Sequence, residues 1–349
     1  MRAIRKWAMM VGFSLRLIAG ALMLAALVAS RAPANADDAV QECHGSDMLA
    51  AMQQKSPDIY NKIMEETSRF SNAEAVLWKI EKAGLQPSYL LGTIHISDPR
   101  ITKLSPKAKE AIAQSKSVAL EVADLSNKSV AAAMTKAGGL IVYTDGKSLH
   151  AQLSDEEYHQ VEKIVAKSGM PGEISGMLKP WLVGMLLTTS DCERRQIASG
   201  ATVLDLRVAA AARQYGIIVA GLETVEDQLA ALAAVPDDQQ IAMLKVGLKY
   251  ADRADDLRET LVQMYLKRQI GAAMPFQLAL AAESGTPKSA FEGFRKTLLV
   301  DRNIKMRDAA LPILERGNAF IAVGALHLPG DTGLVTLLRE RGYLVTAVE

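Results

Sequence analysis

Two short stretches of the chain place an imidazole in the same setting. Tyr89-Leu90-Leu91-Gly92-Thr93-Ile94-His95 is an apolar run ending in Gly-x-x-His, and Phe320-Ile321-Ala322-Val323-Gly324-Ala325-Leu326-His327 repeats the arrangement far along the chain. An apolar strand carries the backbone to a sheet edge. A glycine there permits a sharp turn or a close approach to a ligand. The histidine then projects from the strand end, where α/β sheets place ligands. A neutral imidazole in that position binds a metal or moves a proton. One Gly-x-x-His is a weak signal in a chain with 24 Gly and five His. Two of them, each after a buried-looking strand, point to a shared site. The plain alternative is a pair of histidines that make loop hydrogen bonds.

A third group joins them. Val118-Ala119-Leu120-Glu121-Val122 sets a carboxylate inside a short apolar strand, and burying a carboxylate is costly unless it is paired, ligated or protonated. Two histidines and a carboxylate with open positions make a hydrolytic metal site, in which the ion polarises a carbonyl or acidifies a bound water. A Glu paired with Lys or Arg is the alternative for Glu121. Glu223 follows a strand-like stretch and precedes Thr224, a helix cap; it can face the same cleft or favour the helix N-terminus. Arg302 opens the last long helix and can clamp a carboxylate or steady an oxyanion, or form an ordinary ion pair. Asn303 is its weaker companion.

Positioning such groups requires strand ends gathered at one edge. Strand-like patterns occur at 75–82, 88–93, 117–122, 217–221, 319–323 and 343–348, with a turn between Gly84 and Pro87 that predicts a hairpin. Helical spacing covers 106–114, with Ser105 as its cap, and 126–136, 155–167, 173–189, 205–215, 225–234, 237–284, 302–316 and 333–341. Strands at both ends and helices between them predict an α/β (α+β) fold, a mixed central sheet covered by helices. A long helical insertion at about 126–300 separates the sheet halves. Residues 37–73 read as an N-terminal helical arm and 74–349 as one domain.

The 349 residues are 49% apolar and 23% charged, an ordinary globular balance. A net charge of +1 and 5% aromatic content give no electrostatic or stacking reason to expect nucleic acid. Arg2, Arg5 and Lys6, then an apolar run after Arg16, then Ala34-Asn35-Ala36, predict a secretory signal over 1–36 cleaved after Ala36. An uncleaved anchor is the alternative. The apolar run is shorter than the ~20 residues a membrane span needs, and the mature chain has no other long apolar segment. Removing the signal takes away five basic residues and no acidic one, so the mature protein is mildly acidic. A periplasmic or secreted location allows Cys43 and Cys192 to pair. His44, His150 and His159 read as arm or surface residues. No Walker A loop, dinucleotide fingerprint, His-Glu-x-x-His or nucleophile elbow is present.

The segments Leu91-Gly92-Thr93-Ile94-His95, Ala119-Leu120-Glu121-Val122, Gly221-Leu222-Glu223-Thr224 with Asp227-Gln228, Arg302-Asn303, and Val323 through Gly330 resemble the TraB/GumN family. That family is related to the Tiki proteases and, more distantly, to erythromycin esterases and ChaN-like haem-binding proteins. The resemblance covers about 74–349, and the Gly324-Ala-Leu-His-Leu-Pro-Gly330 segment is its most specific part. It implies an active site of His95, Glu121 and His327, with metal-dependent chemistry using manganese or cobalt as in Tiki proteins. Val203-Leu204-Asp205 is similar to a Gly-hydrophobic-Asp stretch of the family, with Val203 where glycine is usual; helix capping is the competing role for Asp205. The combined expectation is an exported hydrolase, peptidase- or esterase-like. It would hold a divalent metal (Mn, Co or Zn) on His95, His327 and Glu121, with Glu121, Arg302 and Glu223 serving the chemistry on a peptide or small-molecule substrate. The alternatives are a non-catalytic periplasmic binding protein for haem, a small ligand or a peptide, and a regulatory protein on the same fold.

Overall fold

Near-continuous apolar runs suit strands covered on both faces, and the two that precede the Gly-x-x-His histidines form the middle of a six-stranded sheet. The computed structural model describes residues 43–349; the expected signal segment and its cleavage site lie outside the described residues. The strands are β1 (Leu77–Glu81), β2 (Ser88–Thr93), β3 (Ser117–Leu120), β4 (Ile218–Gly221), β5 (Ala319–Gly324) and β6 (Leu344–Ala347), in the spatial order β4-β3-β5-β2-β1-β6. β1 and β2 form the expected antiparallel hairpin, and β6 adds antiparallel to β1. β2, β3 and β4 run parallel to β5 or to one another, with Thr93 opposite Gly324 and Leu120 opposite Ala322. Four strands therefore end at one edge.

The chain divides into two compact units. Among the described residues, one contains 43–123, 201–224 and 255–349, with the whole sheet; the other contains 124–200 and 225–254. Within the helical elaboration expected over about 126–300, the segments 201–224 and 255–300 group with the sheet unit.

In the sheet unit, alternate residues of β5 serve the two faces. Ala319, Ile321 and Val323 join Trp78, Ile80 and Leu90 in a core with Met306, Ala310, Ile313 and Leu314, and with Leu334, Val335 and Leu338. The helices that supply this cover follow from the chain order. They are α1 (Met48–Lys55), α2 (Pro57–Ser68), α3 (Pro106–Gln114), α4 (Leu204–Gln214), α5 (Ala254–Leu266), α6 (Asp301–Leu314) and α7 (Leu334–Arg339). α6 and α7 cover the face just described, and α3 and α4 pack on the other. α3 has the bounds its pattern predicts, with Ser105 accepting from the amide of Ala108. The arm at 43–73 is built into this unit: the amide of Met48 donates to Thr260 Oγ1 at 2.8 Å, and Gly330 donates its amide to Ser71 O at 2.7 Å.

The second unit is helical. Asp155–Lys167 carries a full capping box at Ser154 and Glu157. The helix expected over 173–189 breaks before Pro180, whose ring sits at the first helical position of Pro180–Thr188. A helix at Asp191–Ala198, capped by Ser190, was not anticipated. No helix among the described residues is long and apolar enough to cross a membrane. Neither Cys43 nor Cys192 is a free thiol.

One charge network braces the loop after β2. Asp98 accepts from Arg100 through N, Nε and Nη2 at 2.9, 2.9 and 2.7 Å, and from Arg258 Nη1 at 3.1 Å. Burial pushes the Asp98 carboxyl up, but the Arg100 hydrogen bonds and the charges of Arg100 and Arg258 outweigh it and hold the group below its ordinary range. A carboxyl depressed in the folded state contributes stability above its unfolded pKa of about 3.9 and loses it as pH falls through the folded value. Asp98→Asn is therefore expected to cost about 3–5 kcal/mol at pH 7, because Arg100 and the buried Arg258 both lose their charge pairing with this carboxylate. The deficit shrinks toward pH 3, as urea denaturation at the two pH values will report.

Candidate active site

Four of the candidate groups follow the C-terminal ends of parallel strands. His95 lies two residues beyond β2, Glu121 one beyond β3, Glu223 two beyond β4 and His327 three beyond β5. Arg302 and Asn303 come from the start of α6, which continues directly from a π-helical turn at Arg295–Val300. Such turns recur at functional sites. Successive helical residues point about 100° apart, so these two reach in different directions: Arg302 toward Glu121 and Glu223, Asn303 toward His327.

Arg302 binds both strand-end glutamates. Its Nε donates to Glu223 Oε1 and Oε2 at 3.2 and 3.0 Å, and its Nη2 to Glu223 Oε2 and Glu121 Oε2, each at 2.7 Å. The other oxygen of Glu121, Oε1, accepts from the Gly324 amide at 2.6 Å. Burial pushes the Glu121 carboxyl up, but His327, Arg302, His95 and the Gly324 hydrogen bond outweigh it and hold the group at about 2. Arg302 thus acts on Glu121 and Glu223, and its guanidinium is not aimed alone at an open cleft.

The two imidazoles are fixed from behind. His95 Nδ1 lies 3.0 Å from Asp205 Oδ2, whose other oxygen accepts from Thr93 Oγ1 at 2.7 Å. Asp205 sits in the first turn of α4 and makes no helix cap; its carboxylate orients His95 instead of the backbone. The Asp205 charge and hydrogen bond, with the Glu121 charge adding to them, raise the His95 pKa to about 9. His327 Nδ1 lies 2.6 Å from Asn303 Oδ1, while Asn303 Nδ2 donates to Thr332 O at 2.8 Å. With the amide so oriented, Nδ1 of His327 carries the proton and Nε2 carries a lone pair. Burial lowers the His327 pKa to about 4, with Arg302 and His95 adding to the effect against Glu121, so this ring is neutral.

The open atoms converge on Gly324. His327 Nε2 is 3.6 Å from Glu121 Oε1. A methyl group on Gly324 would sit 3.1 Å from Glu121 Oε1, 3.4 Å from His327 Cδ2 and 4.0 Å from His95 Nε2. Gly324 has an ordinary φ of −54°, so close approach and not a turn requires the glycine here. Gly92 serves packing: its added methyl would meet Leu328 Cδ1 at 2.6 Å. Gly324→Ala is expected to cost about 1–3 kcal/mol, because Glu121 is pinned and cannot yield; a lowered midpoint in urea checks it.

His95, Glu121, His327, Glu223 and Arg302 thus form one constellation, to which Asp205, Thr93 and Asn303 are joined by hydrogen bonds. Thr93 was available as a signal, standing inside the first Gly-x-x-His motif. Cys43 and Cys192 are not among these contacts, and His150 and His159 are exposed beside Asp155 and Glu162. His327 and Glu121 are buried, whereas 61% of the His95 side chain is exposed, which opens the site to solvent on that side.

Similarity to known proteins follows the same region. The uncharacterized protein YbaP of Shigella flexneri is 23% identical over 256 residues, covering 73% of this chain and 89% of that protein. Metalloprotease TIKI1 of Danio rerio is 24% identical over 321 residues, covering 79% of this chain and 63% of that protein. The Metalloprotease TIKI homolog of Nematostella vectensis is 23% identical over 333 residues, covering 82% and 69%. No solved structure matches the chain. Residues 76–347, which contain every strand and all the groups described above, match the model of the TraB/PrgY/gumN family, and the chain belongs to that family.

Proposed function

We propose that the protein is an exported, metal-dependent hydrolase of amide or ester bonds, with His95, His327 and Glu121 holding a divalent cation (Mn, Co or Zn). One observation carries the reading. His327 Nε2 and Glu121 Oε1 face each other at 3.6 Å with no proton between them, since the ring proton lies on the Asn303 side. Two lone pairs so placed repel unless a cation or a donor stands near both.

The chemistry of the donor set fits such an ion. Glu121, Glu223 and Asp205 against Arg302 and protonated His95 leave one net negative charge. Each histidine has its Nδ1 occupied by an oxygen partner and its Nε2 turned to the cradle, the arrangement in which partner groups orient metal-binding imidazoles. Among the described residues no group of three His, Cys, Asp or Glu side chains stands in a closed metal shell. Loading therefore involves a side-chain adjustment, and His95, on its exposed loop, is the member with room. When bound, the ion supplies a polarised carbonyl and an acidified water.

The chain's own residues do the rest. Arg302 keeps Glu121 ionised and fixed in direction, and Glu223 holds Arg302 in turn. Asp205 and Asn303 set which nitrogen of each ring faces the site. His95 gives up its proton on ligation. Gly324 leaves space for a substrate atom beside Glu121. The two relatives named as metalloproteases favour peptide bonds as the target.

Export belongs to the same reading and rests on the basic start, the apolar run and Ala34-Asn35-Ala36. Pairing of Cys43 with Cys192 accords with an oxidising compartment.

The test uses the purified mature chain. Dialysed against Co²⁺, Mn²⁺ or Zn²⁺, it is expected to retain about one ion per chain and to release new N-termini from an unfolded peptide substrate. A chelator should stop the release and added metal restore it. A folded protein that retains no ion and cleaves nothing overturns the reading.

A further inference from the structure

His95 is the most exposed member of the constellation and stands on a loop, so its backbone needs support beyond the single Asp205 contact. α5 supplies it on both sides. Three residues before His95, the carbonyl of Gly92 accepts from the Tyr265 hydroxyl at 2.8 Å. Three residues after it, Asp98 accepts from Arg258 Nη1 at 3.1 Å, while Arg100 donates to Glu259 Oε1 and Oε2 at 3.0 and 2.6 Å. Arg258 and Tyr265 are two helical turns apart and share one side of α5. Burial pushes the Tyr265 hydroxyl pKa up, so it remains a donor at every working pH. α5 is itself tied down: the amide of Ser46 donates to Asp256 Oδ1 and that of Met48 to Thr260 Oγ1, each at 2.8 Å, and Lys267 pairs with Asp47 at 3.0 Å. The segment around His327 is braced by other elements: the Gly324 amide donates to Glu121 Oε1 at 2.6 Å and the Gly330 amide to Ser71 O at 2.7 Å, while the ring itself is held by burial and by Asn303.

We propose that α5 is the positioning element of His95, with Tyr265 at one end of residues 92–98 and the Arg258–Asp98–Arg100–Glu259 network at the other. The inference rests on the reading of His95 as a working member of the site, so the test observes the ring itself, without metal. Full-length protein labelled with ¹⁵N-histidine gives ring signals for His95 and His327 that can be followed separately. In Tyr265→Phe and Arg258→Met the His95 signals are expected to shift and broaden, while those of His327 stay in place. Arg258→Lys, which keeps a donor, should restore part of the wild-type pattern. Titration with Co²⁺ should show affinity about tenfold weaker in Tyr265→Phe. Should Arg258→Met fail to fold, Tyr265→Phe, which removes one hydroxyl, decides alone. Unchanged His95 signals in folded Tyr265→Phe overturn the inference, as do signals of both histidines moving together. A wild-type protein that binds no Co²⁺ instead overturns the metal reading, and the ring signals still decide the role of α5.

Discussion

His327→Ala is expected to weaken divalent-metal binding at least about 100-fold. Structural zinc sites bind with about 10–16 kcal/mol over four ligands, roughly 3 kcal/mol for each, and that is about two decades in affinity. His327 should sit at or above this figure, because its neutral ring loses no proton on ligation and its Nε2 is already aimed by Asn303. His95→Ala should cost less near neutral pH, since part of what that ring offers is offset by removing a proton from it. Calorimetric titration with Mn²⁺ and Co²⁺ measures both. Stability separates loss of a ligand from loss of the fold: removing the buried imidazole also leaves a cavity and an unpaired Asn303 oxygen. The variant should unfold about 2–4 kcal/mol earlier in urea but retain its sheet. Equal metal affinity in wild type and His327→Ala would rule out this histidine as a ligand.

Arg302→Met is expected to cost about 3–5 kcal/mol at pH 7. The substitution keeps much of the side-chain volume and removes a guanidinium that bonds to both Glu121 and Glu223, whose side chains are 8% and 2% exposed. Two neighbouring buried carboxylates then lose the guanidinium between them, and the Glu121 carboxyl, left with the Gly324 amide and the imidazoles, moves up from its depressed value. A carboxyl less depressed in this way contributes less stability above its unfolded pKa, and the difference from wild type fades as pH falls through its folded value and the proton returns. The variant should therefore approach wild type as pH falls below about 5. Adding Glu223→Gln should recover part of the loss at pH 7, and a double-mutant cycle from urea denaturation gives the coupling. A deficit independent of pH would mean that Arg302 matters through packing alone.

The parts of this architecture written in local sequence were the ones that could be read. The run at 319–323 is apolar at every position and 88–93 is apolar between its hydroxyl-bearing ends, because parallel strands in mid-sheet are covered on both faces, and β2 and β5 occupy those places. Ser105 and Ser154 announce helix starts by their side chains. Interruptions were harder: the helix-rich stretch over 237–284 breaks at Tyr250 and again beyond Leu266, where Arg268 lies in the left-handed region with φ 61° and a short turn at Ile270–Ala272 precedes the next helix. Pro275 lies in the first turn of Ala273–Glu283, where proline is tolerated.

The site divides in the same way. The two Gly-x-x-His motifs and Glu121 carry a local signature, an apolar strand followed by a polar group. Asp205 and Asn303 carry none, because their roles depend on partners more than twenty residues away or on other strands. Asp205 looks like a cap from its neighbours and becomes the partner of His95 only once α4 is laid against the end of β2.

β5 is fifth of the six strands along the chain, yet it lies between β2 and β3. A polypeptide emerging vectorially would have made four strands before the one that joins them, so the half-finished sheet has a gap down its middle. Until that gap is filled, β2 and β3 present bare edges to any sticky neighbour. The same late segment brings Gly324 and His327. The candidate constellation is thus completed only when this late segment enters the sheet, and a chain halted before it holds neither of those two members.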